Sequence, residues 1–296
     1  YWARGYCKSY IKKELNMSLQ IKKDALISEI RKEKRLAVAF SGGVDSTFLL
    51  MCAAGELGSE NILAVTARTP AVPPEEIARA ESFAAAHGIA QVTVTADVFS
   101  LDEFCENTPD RCYICKKKIF SVIIGAARAR GFEAVAEGTN IDDTGDYRPG
   151  LRAIRELHVL SPLRQAGLGK EDIRALSREM GLVTWNKPSL ACLATRIPYG
   201  ERITGEKLAM IDSAESYLHT LGFGQLRVRH QGAEARIELA PDETARVFAD
   251  KLAGEIDSKL RGMGFRYVSL DLRGYRTGSL NETLPPETLR SVTEKP

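Results

Sequence analysis

Cys112 and Cys115 stand three residues apart in DRCYICKKKIF, at the mouth of a segment with helical spacing. Such a pair can be a redox dithiol, half of a zinc site or part of an iron–sulfur cluster. A third cysteine, Cys192, belongs to NKPSLACLATRIPYG, a proline-bounded loop. Loops at strand ends on one sheet edge can converge, so a meeting of the three thiols is geometrically reasonable. A structural zinc would want a fourth ligand; His158 is the nearest candidate, but it also reads as a half-buried ring opening an apolar strand. A cubane cluster on three thiolates would leave one iron open, able to carry an extra sulfide. Ligand count favours the cluster over a sacrificial or persulfide cysteine and over zinc or a plain dithiol, and all of these stay open. Cys7, Cys52 and Cys105 have ordinary explanations, Cys52 as a core residue of a helix.

The second chemical signal is AFSGGVDSTFLL, residues 39 to 50. It joins a strand end to a helix start, where open α/β sheets bind ligands. Gly42 and Gly43 let backbone amides approach phosphate oxygens, Ser41 and Ser46 add hydroxyl donors, and the helix presents its positive end. Asp45 would repel a bare phosphate and makes sense beside Mg²⁺ or as an orienter of the loop. The loop is neither GxxxxGK[ST] nor GxGxxG, and no lysine lies inside it.

These residues need a scaffold, and the first half of the chain supplies one. RLAVAF, NILAVTA, QVTVTAD and EAVAEGTN read as strands, with HVLSPL a shorter one. Helical patterns separate them, including PPEEIARAESFAAAHGI, opened by proline and two acids. Strands alternating with helices predict a parallel sheet covered on both faces. Past residue 200, a helix over GEKLAMIDSAESYLHTLGF, the strand pair LRVRHQG and ARIELA, one long helix over ETARVFADKLAGEIDSKLRGMGF and a last strand YVSLDL predict a small α+β domain. The expected organisation is an extension over 1–18, with Met17 a candidate natural start, a nucleotide-binding domain over 19–200, and a substrate-binding and oligomerisation domain over 201–296. RIPYGERITG marks the boundary.

SGGVDS resembles the fingerprint of the PP-loop ATP pyrophosphatases. The resemblance implies a loop that holds the β- and γ-phosphates while ATP is cut to AMP and pyrophosphate. It also implies that the edge from Thr66 to Arg68 contacts adenine. Gly138, at the end of the fourth strand, would permit close approach to the nucleotide, whereas Asp142 and Asp143 read as a solvated loop before they read as metal ligands. Taken in order, SGGVDS, DRCYICK, EGTNIDD…DYRPG and ACLATRIPYGERIT resemble the LarE family of PP-loop sulfur transferases over roughly residues 19 to 275. That resemblance implies a pyridinium dicarboxylate mononucleotide substrate, adenylation of its carboxylate, and replacement of AMP by sulfur. It makes Cys192 the counterpart of a sacrificial donor in some members. With Cys112 and Cys115 also present, it implies the type that holds a 4Fe–4S cluster.

Arg227 and Arg229 alternate on LRVRHQG and so share a face suited to a phosphate or carboxylate. The resemblance strengthens that reading and adds Glu215 and Glu238. Arg196 is a further candidate for a substrate or AMP phosphate, and Lys116 or Lys117 could neutralise the α-phosphate. The cofactors expected are ATP, Mg²⁺ and the cluster; the partners are the mononucleotide, a sulfide donor and further copies of the chain.

Composition narrows the field. With 296 residues, 44% hydrophobic, 27% charged and a net charge of +2, the chain has an ordinary globular balance and no footprint of wholesale nucleic-acid or membrane binding. The first twenty residues lack the apolar stretch of a secretory signal, and unevenly spaced cysteines are no disulfide framework, so a reducing cytoplasm is expected. The rivals are a tRNA thiolase of the same loop class, amide-forming chemistry of the NAD-synthetase kind, and a nucleotide sensor that never turns ATP over.

Overall fold

The computed structural model describes residues 17–144, 149–188, 192–276 and 278–285. Cys7, most of the expected N-terminal extension, the centre of the DDTGDYRPG stretch and residues 189–191 lie outside the described residues.

Four short strands form a parallel sheet in the order β3-β2-β1-β4: β1 Leu36–Ala39, β2 Ile62–Arg68, β3 Ala90–Thr95 and β4 Ala134–Ala136. Alternation along β1 and β2 separates two cores. Leu36, Val38, Ile62 and Ala64 face one layer with helix α1 (17–30), α2 Val44–Leu57, α3 Pro74–Ala86 and, further along, α8 Lys170–Glu179. Ala37, Leu63, Val65 and Val135 face the other, with Phe120, Ile123 and Ala127 of α5 Arg111–Arg128 and Ile154 of α6 Gly150–Glu156. Burial on both faces is why the strands are near-continuous apolar runs. The expected doubly covered parallel sheet is what forms.

The chain winds outward from β1 to β3 and returns to place β4 on the other side of β1. The switch point between β1 and β4 opens a crevice where the SGGVDS loop and the loop after β4 part. Two expected strands shrink there. β4 stops at Ala136, because the chain beyond it turns away to line the crevice, and HVLSPL contributes a single bridge from Leu160 to Ala136. His158 sits in a left-handed turn (φ 54°) after α6, not in a strand.

The short helix α4 Asp102–Cys105 precedes α5, and the short helix α7 Pro162–Gln165 follows α6 and buries Leu163 in the first core. A smaller apolar cluster joins Phe104 and Cys105 to Leu193, Ala194 and Ile197, and to Leu208 and Ile211 of α9 Gly205–Thr220. The Thr204 hydroxyl caps α9 by accepting from the Lys207 amide at 3.2 Å. The other end of α9 packs Ala214 and Leu218 into a separate core under β5 Leu226–Gln231, β6 Glu234–Leu239 and β7 Tyr267–Leu270. β5 and β6 are antiparallel, and β6 and β7 parallel. The long helix expected before β7 is two, α10 Arg246–Ala249 and α11 Ala253–Gly262. Lys251 is left-handed (φ 57°) between them, and the Leu252 amide closes the turn on the Val247 carbonyl, which aims both Val247 and Ile256 at one core. No helix among the described residues is long and apolar enough to cross a membrane.

Candidate functional site: a phosphate-type cleft beside three thiols

A cleft of about 940 Å³ opens at the carboxyl ends of β1, β2 and β4. Ser41, Gly43, Asp45 and Ser46 line it from the first loop, Thr66 from β2 and Thr69 just past its end, and Glu137, Gly138, Asp142 and Asp143 from the loop after β4. Helix α2 begins at Gly43 without a side-chain cap, so its first amides face the cleft unclaimed by a capping side chain. The loop is braced from within: the Ser41 and Ser46 hydroxyls are 3.0 Å apart, and Ser46 donates to the Gly43 carbonyl at 3.3 Å.

The expected residues divide here. Gly42 is left-handed (φ 68°) and faces away from the cleft, and a Cβ on it would meet the Cβ of Ala80 at 3.3 Å. Its carbonyl receives Lys187 Nζ at 3.0 Å. Gly138 does permit a close approach, but of the loop itself: an added Cβ would stand 3.0 Å from the Ser46 amide nitrogen. Thr66 is buried, donating to the Phe40 carbonyl at 2.9 Å and accepting from Gln91. Arg68, expected on adenine, is exposed and faces Glu81 at 4.0 Å, because it occupies the last, outward position of β2. Of the two lysines considered, Lys116 lines the cleft, while Lys117 faces Tyr113 and Glu156 on the surface. Asp142 and Asp143, expected as a solvated loop, line the cleft as well. Asp142 accepts from the Lys170 amide at 2.6 Å and Asp143 from the Asn140 amide at 3.0 Å.

Lys170 belongs to none of the motifs singled out in the sequence. It supplies from the start of α8 the cation that the loop lacks, reaching Asp45 Oδ2 at 2.6 Å. A lysine in a first helical turn opposes the helix dipole, and that misfit is its signal in the sequence. Burial, the dominant cause, lifts the Asp45 carboxyl above the usual carboxylate range; the bond and charge of Lys170 oppose the rise and the Asp143 charge adds to it. Asp45 Oδ1 has no hydrogen-bond partner among the described residues. Arg174 also lines the cleft, donating to the Trp185 and Lys187 carbonyls at 2.9 Å each.

Cys112 and Cys115 occupy the first two turns of α5, immediately before Lys116. Cys192 lies ahead of a short 3₁₀ turn, Leu193–Arg196, whose Leu193 and Ala194 share the apolar cluster of Cys115. The three thiols are within electrostatic reach of one another. Burial pushes the Cys115 thiol up, and the charges of Cys192 and Cys112 add to it; burial and then Cys112 do the same to Cys192. Arg111 opposes both shifts. Cys112 and Cys192 are exposed as residues, while Cys115 is half-buried. Among the described residues, no three His, Cys, Asp or Glu side chains stand in an arrangement that would hold a metal ion, and His158 joins no such group. Cys105 is buried in the apolar cluster that Cys115 borders, and Cys52, on α2, is buried in the first core, pushed up to about 12 by burial.

Arg196, Arg227 and Arg229 converge beyond Cys192. Arg196 forks onto both Glu215 oxygens at 2.8 Å and donates to the Cys192 carbonyl at 3.2 Å. Arg229 forks onto Glu238 at 2.9 Å and reaches the Thr195 carbonyl at 2.6 Å. Glu215 and Glu238 thus stand as counter-ions of two arginines, with Glu215 also accepting the Val228 amide. Arg227 has no carboxylate partner among the described residues and rests on Tyr275, whose hydroxyl it meets at 3.1 Å. Burial and then the nearby Arg196 charge lower its pKa, as befits a cation lacking an anion.

No family model matches the chain. It is 40% identical over 269 residues, 90% of this chain and 96% of the other, to the pyridinium-3,5-bisthiocarboxylic acid mononucleotide synthase of Lactiplantibacillus plantarum. An uncharacterized protein of Synechocystis sp. is 41% identical over 250 residues, 84% of this chain and 93% of its own. The glutamine-hydrolyzing GMP synthase of Thermoplasma volcanium matches through one of its subunits, 31% identical over 209 residues, 64% of each chain.

Proposed function

The chain belongs to the LarE family of PP-loop enzymes, and from that premise we propose that it is an ATP-dependent sulfur transferase acting on a pyridinium dicarboxylate mononucleotide. The carrying observation is the placement of α5, which delivers Lys116 to the nucleotide cleft and, one residue earlier, Cys115 to the thiol set. Activation and sulfur delivery are thereby adjacent.

A carboxylate oxygen of the substrate attacks the α-phosphorus, and pyrophosphate leaves. Ser41, Gly43, Ser46 and the open start of α2 are placed to bind that pyrophosphate, with Lys170 and Lys116 as the cations that meet the growing charge. Asp45, released from Lys170, and Asp143 offer oxygens to Mg²⁺; the unpartnered Asp45 Oδ1 fits that role. Sulfur then adds to the acyl carbon, AMP departs, and a thiocarboxylate remains. Arg227, the guanidinium without a carboxylate, is the anion-binding group of the second unit, held in place by the Arg196–Glu215 and Arg229–Glu238 pairs.

The donor chemistry of Cys112, Cys115 and Cys192, three soft thiols, suits iron and sulfide, although among the described residues they are not gathered into a metal-holding group as they stand. A 4Fe–4S cluster bound there would supply a transferable sulfide. The division at residue 200, a homo-oligomeric state and work in a reducing cytoplasm complete the proposal.

The test is pyrophosphate release and thiocarboxylate mass with ATP and the mononucleotide, alongside anaerobic iron and sulfide analysis of the wild type and of Cys112→Ala, Cys115→Ala and Cys192→Ala. Substrate-dependent pyrophosphate and a cubane signature lost in each variant are expected. ATP binding without substrate-dependent turnover would overturn the enzyme reading. Turnover without iron, leaving dehydroalanine at position 192, would replace the cluster with a sacrificial cysteine.

A further inference from the structure

We propose that Asn107 and Arg111 are positioning residues that clamp the Cys192 loop onto the cysteine helix and so set the spacing of the three thiols. The inference takes its purpose from the sulfur-transfer reading, while its geometry stands apart from it.

Asn107 is fully buried in the turn between α4 and α5 and is left-handed, with φ of 56°. Its side-chain Nδ2 faces three carbonyls of the segment that follows Cys192: Ile197 at 3.2 Å, Pro198 at 2.6 Å and Glu201 at 3.0 Å. An amide nitrogen has two hydrogens, so one of these contacts is shared, and the group is fully committed. The Asn107 carbonyl accepts from the Gly200 amide at 3.1 Å, and two residues earlier Cys105 accepts from the Ile203 amide at 2.8 Å. The remaining side-chain atom, Oδ1, accepts from Arg111 Nη1.

Arg111 closes the clamp on the other side. It opens α5 immediately before Cys112, is 2% exposed, and lies over the Tyr199 ring at 4.4 Å. No carboxylate pairs with it among the described residues, although a buried cation is costly without an anion. A loop held only for stability would be served as well by an apolar residue. The guanidinium instead bridges the two sides, from the Asn107 side-chain oxygen to the Tyr199 ring on the segment after Cys192.

The test uses ligand-free, full-length protein and diamide, which takes two electrons and two protons from a thiol pair to give a disulfide and the hydrazine. Peptide mass mapping then gives the ratio of protein with Cys192 linked to Cys112 or Cys115 to protein with the Cys112–Cys115 bond, which lies within one helix and serves as internal reference. Asn107→Gly tolerates the left-handed backbone while deleting the amide. Arg111→Met keeps an unbranched chain over Tyr199 while deleting the charge and the donor. Each is expected to lower the ratio about tenfold, the loss of effective concentration when a held loop is released, with ATP affinity unchanged. Should Asn107→Gly lose ATP binding through misfolding, Arg111→Met carries the test alone. An unchanged ratio in the folded variants, or a wild type whose Cys192 never links to the helix, overturns the clamp. A wild type that links normally yet makes no thiocarboxylate leaves the clamp standing and sinks the proposed function instead.

Discussion

Asp45 is a half-enclosed carboxylate paired with Lys170, and burial holds its pKa above the usual range. A carboxyl raised in the folded state keeps a proton that the unfolded chain has already released. Stability in metal-free buffer therefore falls as pH climbs from the ordinary carboxylate range through the raised one, and is regained below it. Asp45→Asn should flatten that slope in urea titrations across the acid range while lowering ATP-dependent pyrophosphate release by about 100-fold, the scale of losing one preorganised electrostatic partner. A slope that survives the substitution would assign it elsewhere. Gly138 is the steric counterpart. Gly138→Ala places a methyl 3.0 Å from the Ser46 nitrogen, so it is expected to cost about 1–3 kcal/mol of overpacking and to weaken ATP binding, read by thermal melting and nucleotide titration. A variant that melts and binds ATP like the wild type would remove the constraint.

At the scale of elements, α5 and the β5–β6 ribbon carry opposite burdens. α5 is amphipathic in the ordinary way, with Phe120, Ile123 and Ala127 against the sheet, while its first two turns carry Cys112, Cys115 and Lys116. The ribbon instead buries charge. Glu238 is fully inaccessible and takes Arg229 in a fork, with Arg236 at 3.4 Å. Removing it by Glu238→Ala strands a buried guanidinium, for which about 3–5 kcal/mol of destabilisation is expected from urea unfolding. Because Arg229 also holds the Thr195 carbonyl and the Ser279 hydroxyl, the same variant should loosen the segment after Cys192. A loss below about 1 kcal/mol would mean that the pair is a surface-type contact.

Across the whole molecule, α9 shares its length between two cores, and Gln225, just ahead of β5, reaches the nucleotide cleft. The C-terminal sheet should therefore sense the nucleotide. Mg²⁺ and ATP at about 100 times Kd should stabilise the protein by about 2.7 kcal/mol and slow amide exchange in β5 as well as in β1. Exchange in β5 that ignores the nucleotide would separate the two units energetically. Similarity at 40% identity over 90% of the chain places the LarE relationship on both units, not on the loop alone.

The sequence by itself determined the parallel sheet, the loop that ends β1, the helix that carries Cys112 and Cys115, and the family. All of these rest on local periodicity or contiguous motifs, which the chain states residue by residue. Only the tertiary structure decided that Lys170 meets Asp45, that Arg68 faces outward, that Gly138 packs closely on the backbone at Ser46, and that Glu215 and Glu238 neutralise arginines. Each depends on a partner that the fold sets beside it, across a separation of 125 positions in the case of Asp45 and Lys170. A spacing rule cannot see such a pairing, because the cost of burying a charge is settled by whatever the fold places beside it.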